Sequence, residues 1–131
     1  MFLTALSSTV LAYVLMLIFY AFLPAFYPRA AYTEASLSGL LVELTRAIDG
    51  ANNTFPSGHV TFAWLLVFFI GITNFAKKHN WVQFVYIVWA CLISISTLVL
   101  KQHFIVDVFS GICLAILCYY LAKRFVFEKM L

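Results

Sequence analysis

Apolar positions in this chain come in long runs, and the polar positions gather between them. Residues 1–27 are nearly continuous in apolar character, relieved mainly by Thr4, Ser7, Ser8, Thr9 and Pro24. At about 1.5 Å per helical residue, such a run crosses a hydrocarbon core of about 30 Å. Residues 60–75, 81–100 and 104–121 repeat the pattern, each closed by polar or aromatic residues that suit a membrane interface. Four transmembrane helices are expected. The first has no basic residue ahead of its apolar run and no persuasive small-x-small cleavage site, which favours a span over a removable leader.

The piece between the first two spans, residues 28–58, is polar and contains Arg29, Glu34, Glu43, Arg46, Asp49 and Gly50-Ala51-Asn52-Asn53. Within it Leu37, Leu40, Leu41, Leu44 and Ile48 recur at helical spacing, while Ser38, Glu43, Arg46 and Asp49 take the other faces. A short interfacial helix is predicted, which either seals the bundle at headgroup level or helps admit a lipid. The expected fold is therefore all-α, an integral membrane helical bundle of four spans plus that helix, in a single domain over residues 1–131.

Composition sharpens this. The chain is 65% hydrophobic and 10% charged, with a mean hydropathy of +1.02, outside the range of ordinary soluble domains. Its net charge of +3 is small and scattered, with no Arg-rich run, which argues against a nucleic-acid partner and leaves the bilayer as the evident one. Cys91, Cys113 and Cys118 lie in apolar segments without a Cys-x-x-Cys pattern and read as packing residues. No nucleotide loop or haem-attachment motif is present, so no cofactor is expected.

Tracing the crossings brings His59, His103 and Asp107 to one membrane face. The amino terminus, Lys77, Lys78, His79 and the tail with Lys123, Arg124, Glu128 and Lys129 fall on the other, whereas Arg29, Arg46 and Lys101 lie on the motif side. The excess of basic residues predicts cytoplasmic termini and a site on the non-cytoplasmic face.

Ionisable groups at span ends in so apolar a chain are costly and point to function. In Pro56-Ser57-Gly58-His59, Pro suits a first helical turn, and the free amides of a helix start, with a Ser hydroxyl and a Gly, can cradle an anion. His59 beside it can protonate a leaving alkoxide; an interfacial turn with Ser as cap would use the same residues. His103 and Asp107, at i and i+4, let the carboxylate fix one imidazole tautomer and free the other nitrogen as base or nucleophile. Asp107 also complements the dipole of the helix it opens. Two imidazoles and a carboxylate can hold zinc, but no His-Glu-x-x-His pattern accompanies them, and no metal is expected.

Pro56-Ser57-Gly58-His59, followed after a hairpin of spans by Ser96-x6-His103-x3-Asp107-Val108-x2-Gly111, resembles the type-2 phosphatidic acid phosphatase superfamily of membrane enzymes. The resemblance implies a metal-independent phosphatase or phosphotransferase in which His103 attacks phosphorus, Asp107 orients it, and His59 protonates the leaving group. It further implies that Ser57 and the Gly58 amide hold phosphoryl oxygens. Thr97 stands where the family's phosphatases usually have Arg, and Phe22 and Ala30 stand where its first motif has Lys and Pro, although Arg29 is kept. Arg29 and Lys101 are the candidates for the missing positive charge, with snorkelling to lipid phosphates as their alternative.

Members usually carry more spans than the four expected here, so a homodimer or another membrane subunit is the expected cover for small or apolar flanks. The activity expected is hydrolysis of a lipid phosphate or diphosphate through a phosphohistidine. Transfer to a lipid alcohol, or a non-catalytic phospholipid-binding subunit, is the alternative.

Overall fold

The computed structural model describes residues 2–28, 36–49 and 52–128, with side chains through residue 125. Its helices are α1 (Phe2–Phe22), α2 (Leu37–Asp49), α3 (Gly58–Gly71), α4 (Asn74–Lys78), α5 (Asn80–Val99) and α6 (Ile105–Glu128). Among the described residues the extended pairing is limited to one isolated antiparallel bridge, Phe26 with Asn52. The all-α expectation holds.

Three helices, α1, α5 and α6, are long and apolar enough to cross a membrane. The expected second span over 60–75 is a shorter helix than the apolar run suggests: α3 has 14 residues, about 21 Å at 1.5 Å each. Thr73 is the reason. Its hydroxyl donates to Ile70 O at 2.7 Å and accepts from Ala76 N at 3.1 Å, closing α3 and capping α4 with one side chain. The first span also stops early, at Phe22 rather than residue 27, because Pro24 has no N–H to continue the ladder and pushes Leu23 out of the helical region.

Helix α3 sits at the centre, against α1, α5 and α6. One core forms from Ala12, Met16, Leu65, Leu114, Ala115, Cys118 and Tyr119, and a second from Ala63, Val67 and Ala90. The alanines let backbones approach, the usual means of packing where lipid is as apolar as the partner helix. Outside these contacts the surface is apolar: Leu6, Val10, Leu17 and Ile18 of α1 and Phe84, Val88, Leu92 and Ile95 of α5 are exposed, as lipid-facing residues are.

The predicted interfacial helix is α2. The Ser36 hydroxyl accepts from Gly39 N at 3.1 Å and starts it. Leu37, Leu40, Leu41, Leu44 and Ile48 all stay exposed, while Arg46 Nη2 donates to Leu100 O at 3.1 Å and ties the helix to the end of α5. Arg46 and Asp49 reach toward the bundle while the leucine row stays exposed, an arrangement that suits a helix lying in a membrane interface.

Candidate active site

Three pieces of chain meet at one end of the bundle. The first is the start of α3, where Ser57 is the N-cap. Pro56 therefore lies ahead of the cap and not in the first helical turn, a correction to the sequence expectation; it is held by Tyr20, whose hydroxyl donates to Pro56 O at 3.1 Å. Ser57 N donates to Asp107 O at 3.1 Å, and the Thr61 hydroxyl lies 2.8 Å from Ser57 O and 3.2 Å from Gly111 O. These bonds fasten the Pro-Ser-Gly-His segment to α6. The first amides of α3 have no intrahelical partner and carry the positive end of the helix dipole.

The second piece is the turn between α5 and α6. Lys101 takes a positive φ of 52°, and Gln102 N and His103 N both donate to Thr97 O, at 3.0 and 3.3 Å. The turn folds back over the end of α5 and buries His103. Asp107, also buried, accepts from Phe104 N through Oδ2 at 2.8 Å and stands 3.5 Å from His103 Nδ1 with the same oxygen. The carboxylate thus caps the start of α6 and faces the imidazole at once. The Nδ1 contact is at ion-pair distance, short of hydrogen-bond geometry.

The third piece is the end of α2. Asp49 Oδ1 lies 3.5 Å from His59 Nε2, and the His59 and His103 rings are 6.3 Å apart, centroid to centroid. Around them opens a cavity of about 830 Å³. Its polar end carries Asp49, Asn52, Asn53, Thr54, Thr97, Gln102 and both histidines, and an apolar wall of Phe62, Leu66, Trp89 and Ile93 continues along α3 and α5. The His103 imidazole is pushed below the ordinary histidine range, first by burial and further by His59, against the opposing pull of Asp107 and a backbone contact with Thr54.

The structure brings His59, His103 and Asp107 together and places Gly58 on the cavity wall. Space beside Gly58 is filled from α1: an added Cβ would meet Met16 Cε at 3.1 Å and Tyr20 Oη at 3.7 Å. Ser57 is fully buried, with its hydroxyl lacking a hydrogen-bond partner. The Thr97 hydroxyl is engaged by Ser94 O at 2.8 Å. Lys101 is exposed and does not line the cavity, and Arg29 lies outside the described residues. No group of three or more His, Cys, Asp or Glu side chains stands at metal-ligand spacing among the described residues.

Sequence reasoning missed the pairing of Asp49 with His59, and it missed Tyr20, Thr54 and Gln102 as parts of the site. Asp49 lies ten residues before His59, across a segment with no helical or strand period, so spacing carried no signal. Tyr20 reads as one more aromatic of an apolar span.

No solved structure matches this chain. Over 82 residues, 58% of its length, it is 30% identical to the inositol phosphorylceramide synthase catalytic subunit aur1 of Schizosaccharomyces pombe. The match spans 18% of that protein's length. The family model described as PAP2 superfamily covers residues 2–131, and with the paired His-containing motifs at one end of an apolar helical bundle, the chain is an integral membrane protein that belongs to the PAP2 superfamily.

Proposed function

We propose that this protein hydrolyses a lipid phosphate or diphosphate through a phosphohistidine on His103. The observation that carries the reading is a buried His103 facing Asp107, with the His59 ring across the cavity from it. With Nδ1 turned to Asp107, Nε2 is the nitrogen left for phosphorus. Its lone pair forms the N–P bond as the P–O bond to the lipid breaks, and the departing oxygen takes a proton from His59. His59, now neutral, takes a proton from water as that water attacks phosphorus and releases phosphate from His103.

Charge that builds on the phosphoryl oxygens meets the amides at the start of α3, with Ser57 and Gly58 in the holding role. Arg29 remains the proposed cationic contributor; Lys101, exposed and off the cavity wall, is not retained in that role. Excess basic charge at the far end supports a site on the non-cytoplasmic side, with both termini in the cytoplasm.

A second reading is transfer to a lipid alcohol instead of water. The similarity to a protein named as a synthase favours it, as does the apolar wall of Phe62, Leu66, Trp89 and Ile93, which gives an acyl chain room beside the reacting end.

The test is phosphate release from a panel of lipid phosphates and diphosphates, with and without a lipid alcohol, for the wild type and His103→Ala. Free phosphate that depends on His103 is expected. A new phospholipid formed only with the alcohol present would move the conclusion to transfer. Release no faster than His103→Ala on every substrate, with no lipid product, would leave a non-catalytic subunit.

A further inference from the structure

We infer that Asp49, at the end of the interfacial helix, is the positioning residue for the acid-base histidine His59. The inference rests on the phosphohistidine reading above and adds a second His–Asp pair to it: Asp107 behind the nucleophile, Asp49 behind the acid.

Three observations carry it. Asp49 Oδ1 is 3.5 Å from His59 Nε2, the same separation as in the pair at His103. Asp49 and His59 both line the cavity, so the pair stands at the reacting end and not on a remote surface. Asp49 is also the last residue of α2, where the carbonyl end of the helix dipole disfavours a carboxylate. An acid in that position weakens its own helix, and a local rule broken without a local gain is the mark of a residue placed for something else.

The other ionisable groups facing His59 come from different elements. His103 approaches from the turn before α6, with Asp107 behind it, and Tyr20 lines the same cavity from α1. Among the described residues, Asp49 is the carboxylate at ion-pair distance from the ring.

The pairing assigns the two nitrogens. Asp49 accepts from Nε2–H and leaves Nδ1 for the substrate. In the first step Nδ1–H gives its proton to the lipid oxygen, which departs with the electron pair of the broken P–O bond. His59 is then neutral in the Nε2–H form that Asp49 holds. Nδ1 is therefore the nitrogen that takes the proton from the attacking water, and the ring need not turn between the two steps.

Leaving-group dependence separates this role from a structural one. An alkyl lipid phosphate needs its departing oxygen protonated, whereas a nitrophenyl phosphate ester of matched apolar character departs as a stable phenolate. In the full chain, Asp49→Asn is expected to lower kcat/KM, which reports the steps through phosphohistidine formation and not the shared attack by water, by about 10- to 100-fold for the alkyl ester and by less than about threefold for the nitrophenyl ester, a share of the 10²–10⁴ that a positioned acid supplies. Asp49→Glu should recover part of the loss, and Asp49→Asn should cost nothing further on a His59→Ala background.

Equal loss on both esters, or no loss on either, with thermal unfolding unchanged, would overturn the assignment. If Asp49→Asn unfolds more easily, Asp49→Glu decides: it must restore the alkyl rate selectively. Wild-type rates no faster than His103→Ala on both esters would remove the phosphohistidine reading itself, a result distinct from an active enzyme indifferent to Asp49.

Discussion

At His103 the loss of water around the ring outweighs the charge of Asp107, and the imidazole binds its proton less tightly than a free histidine does. In the proposed reaction a neutral ring is the nucleophile, so this direction keeps His103 competent in mildly acidic solution. The acid limb of kcat/KM is accordingly expected below pH about 6.5, the ordinary histidine value. Asp107 raises the proton affinity of the ring, so Asp107→Asn should move that limb further toward acid pH. The same substitution should lower kcat by about 10²- to 10⁴-fold, because the imidazole loses the group that orients it. A pH–rate series on both proteins checks this; a limb above pH about 6.5 in the wild type, or a shift to higher pH in Asp107→Asn, contradicts it.

Between elements, the site depends on how closely α6 approaches the start of α3, and Gly111 sets that distance. A Cβ there would stand 2.8 Å from Ser57 O and 3.2 Å from both Thr61 Oγ1 and Val60 Cβ. Backbone cannot swing aside, so Gly111→Ala should destabilise the protein by about 1–3 kcal/mol and lower activity with it. Gly71→Ala is the control: its Cβ meets Gln83 Nε2 at 2.7 Å, the far end of a flexible side chain, and little change in thermal unfolding is expected. Equal melting shifts for the two variants would contradict the argument.

The same elements show what sequence reasoning can reach. The leucine period of α2, the apolar runs of α1, α5 and α6, and the i,i+4 pairing of His103 with Asp107 are local patterns and were legible. The length of α3 was not, because hydropathy does not register a Thr that closes one helix and opens the next. Nor was Asp49, because no periodic pattern links it to His59 ten residues on.

On the scale of the whole molecule, His59, His103 and Asp49 gather at one end of the bundle, while α4, with Lys77 and Lys78 in its last turn, lies at the opposite end of α3. The proposed orientation puts that second end in the cytoplasm, and single cysteines can report it. Ser38 of α2 and Asn74 of α4 are both exposed and uncharged, so replacing them alters neither the core nor the count of basic residues. Cys91, Cys113 and Cys118 belong to the apolar helices α5 and α6, out of reach of a reagent confined to water.

In intact cells a membrane-impermeant maleimide should therefore label Ser38→Cys, and label Asn74→Cys only after the membrane is opened. Converting Lys77 and Lys78 to Gln removes two of the cations at that end and should weaken the asymmetry, since Lys and Arg counts in short loops set the bias. Labelling of Asn74→Cys in intact cells would reverse the orientation. The catalytic assignment would survive that result, because the contacts among His59, His103, Asp107 and Asp49 do not depend on which compartment they face.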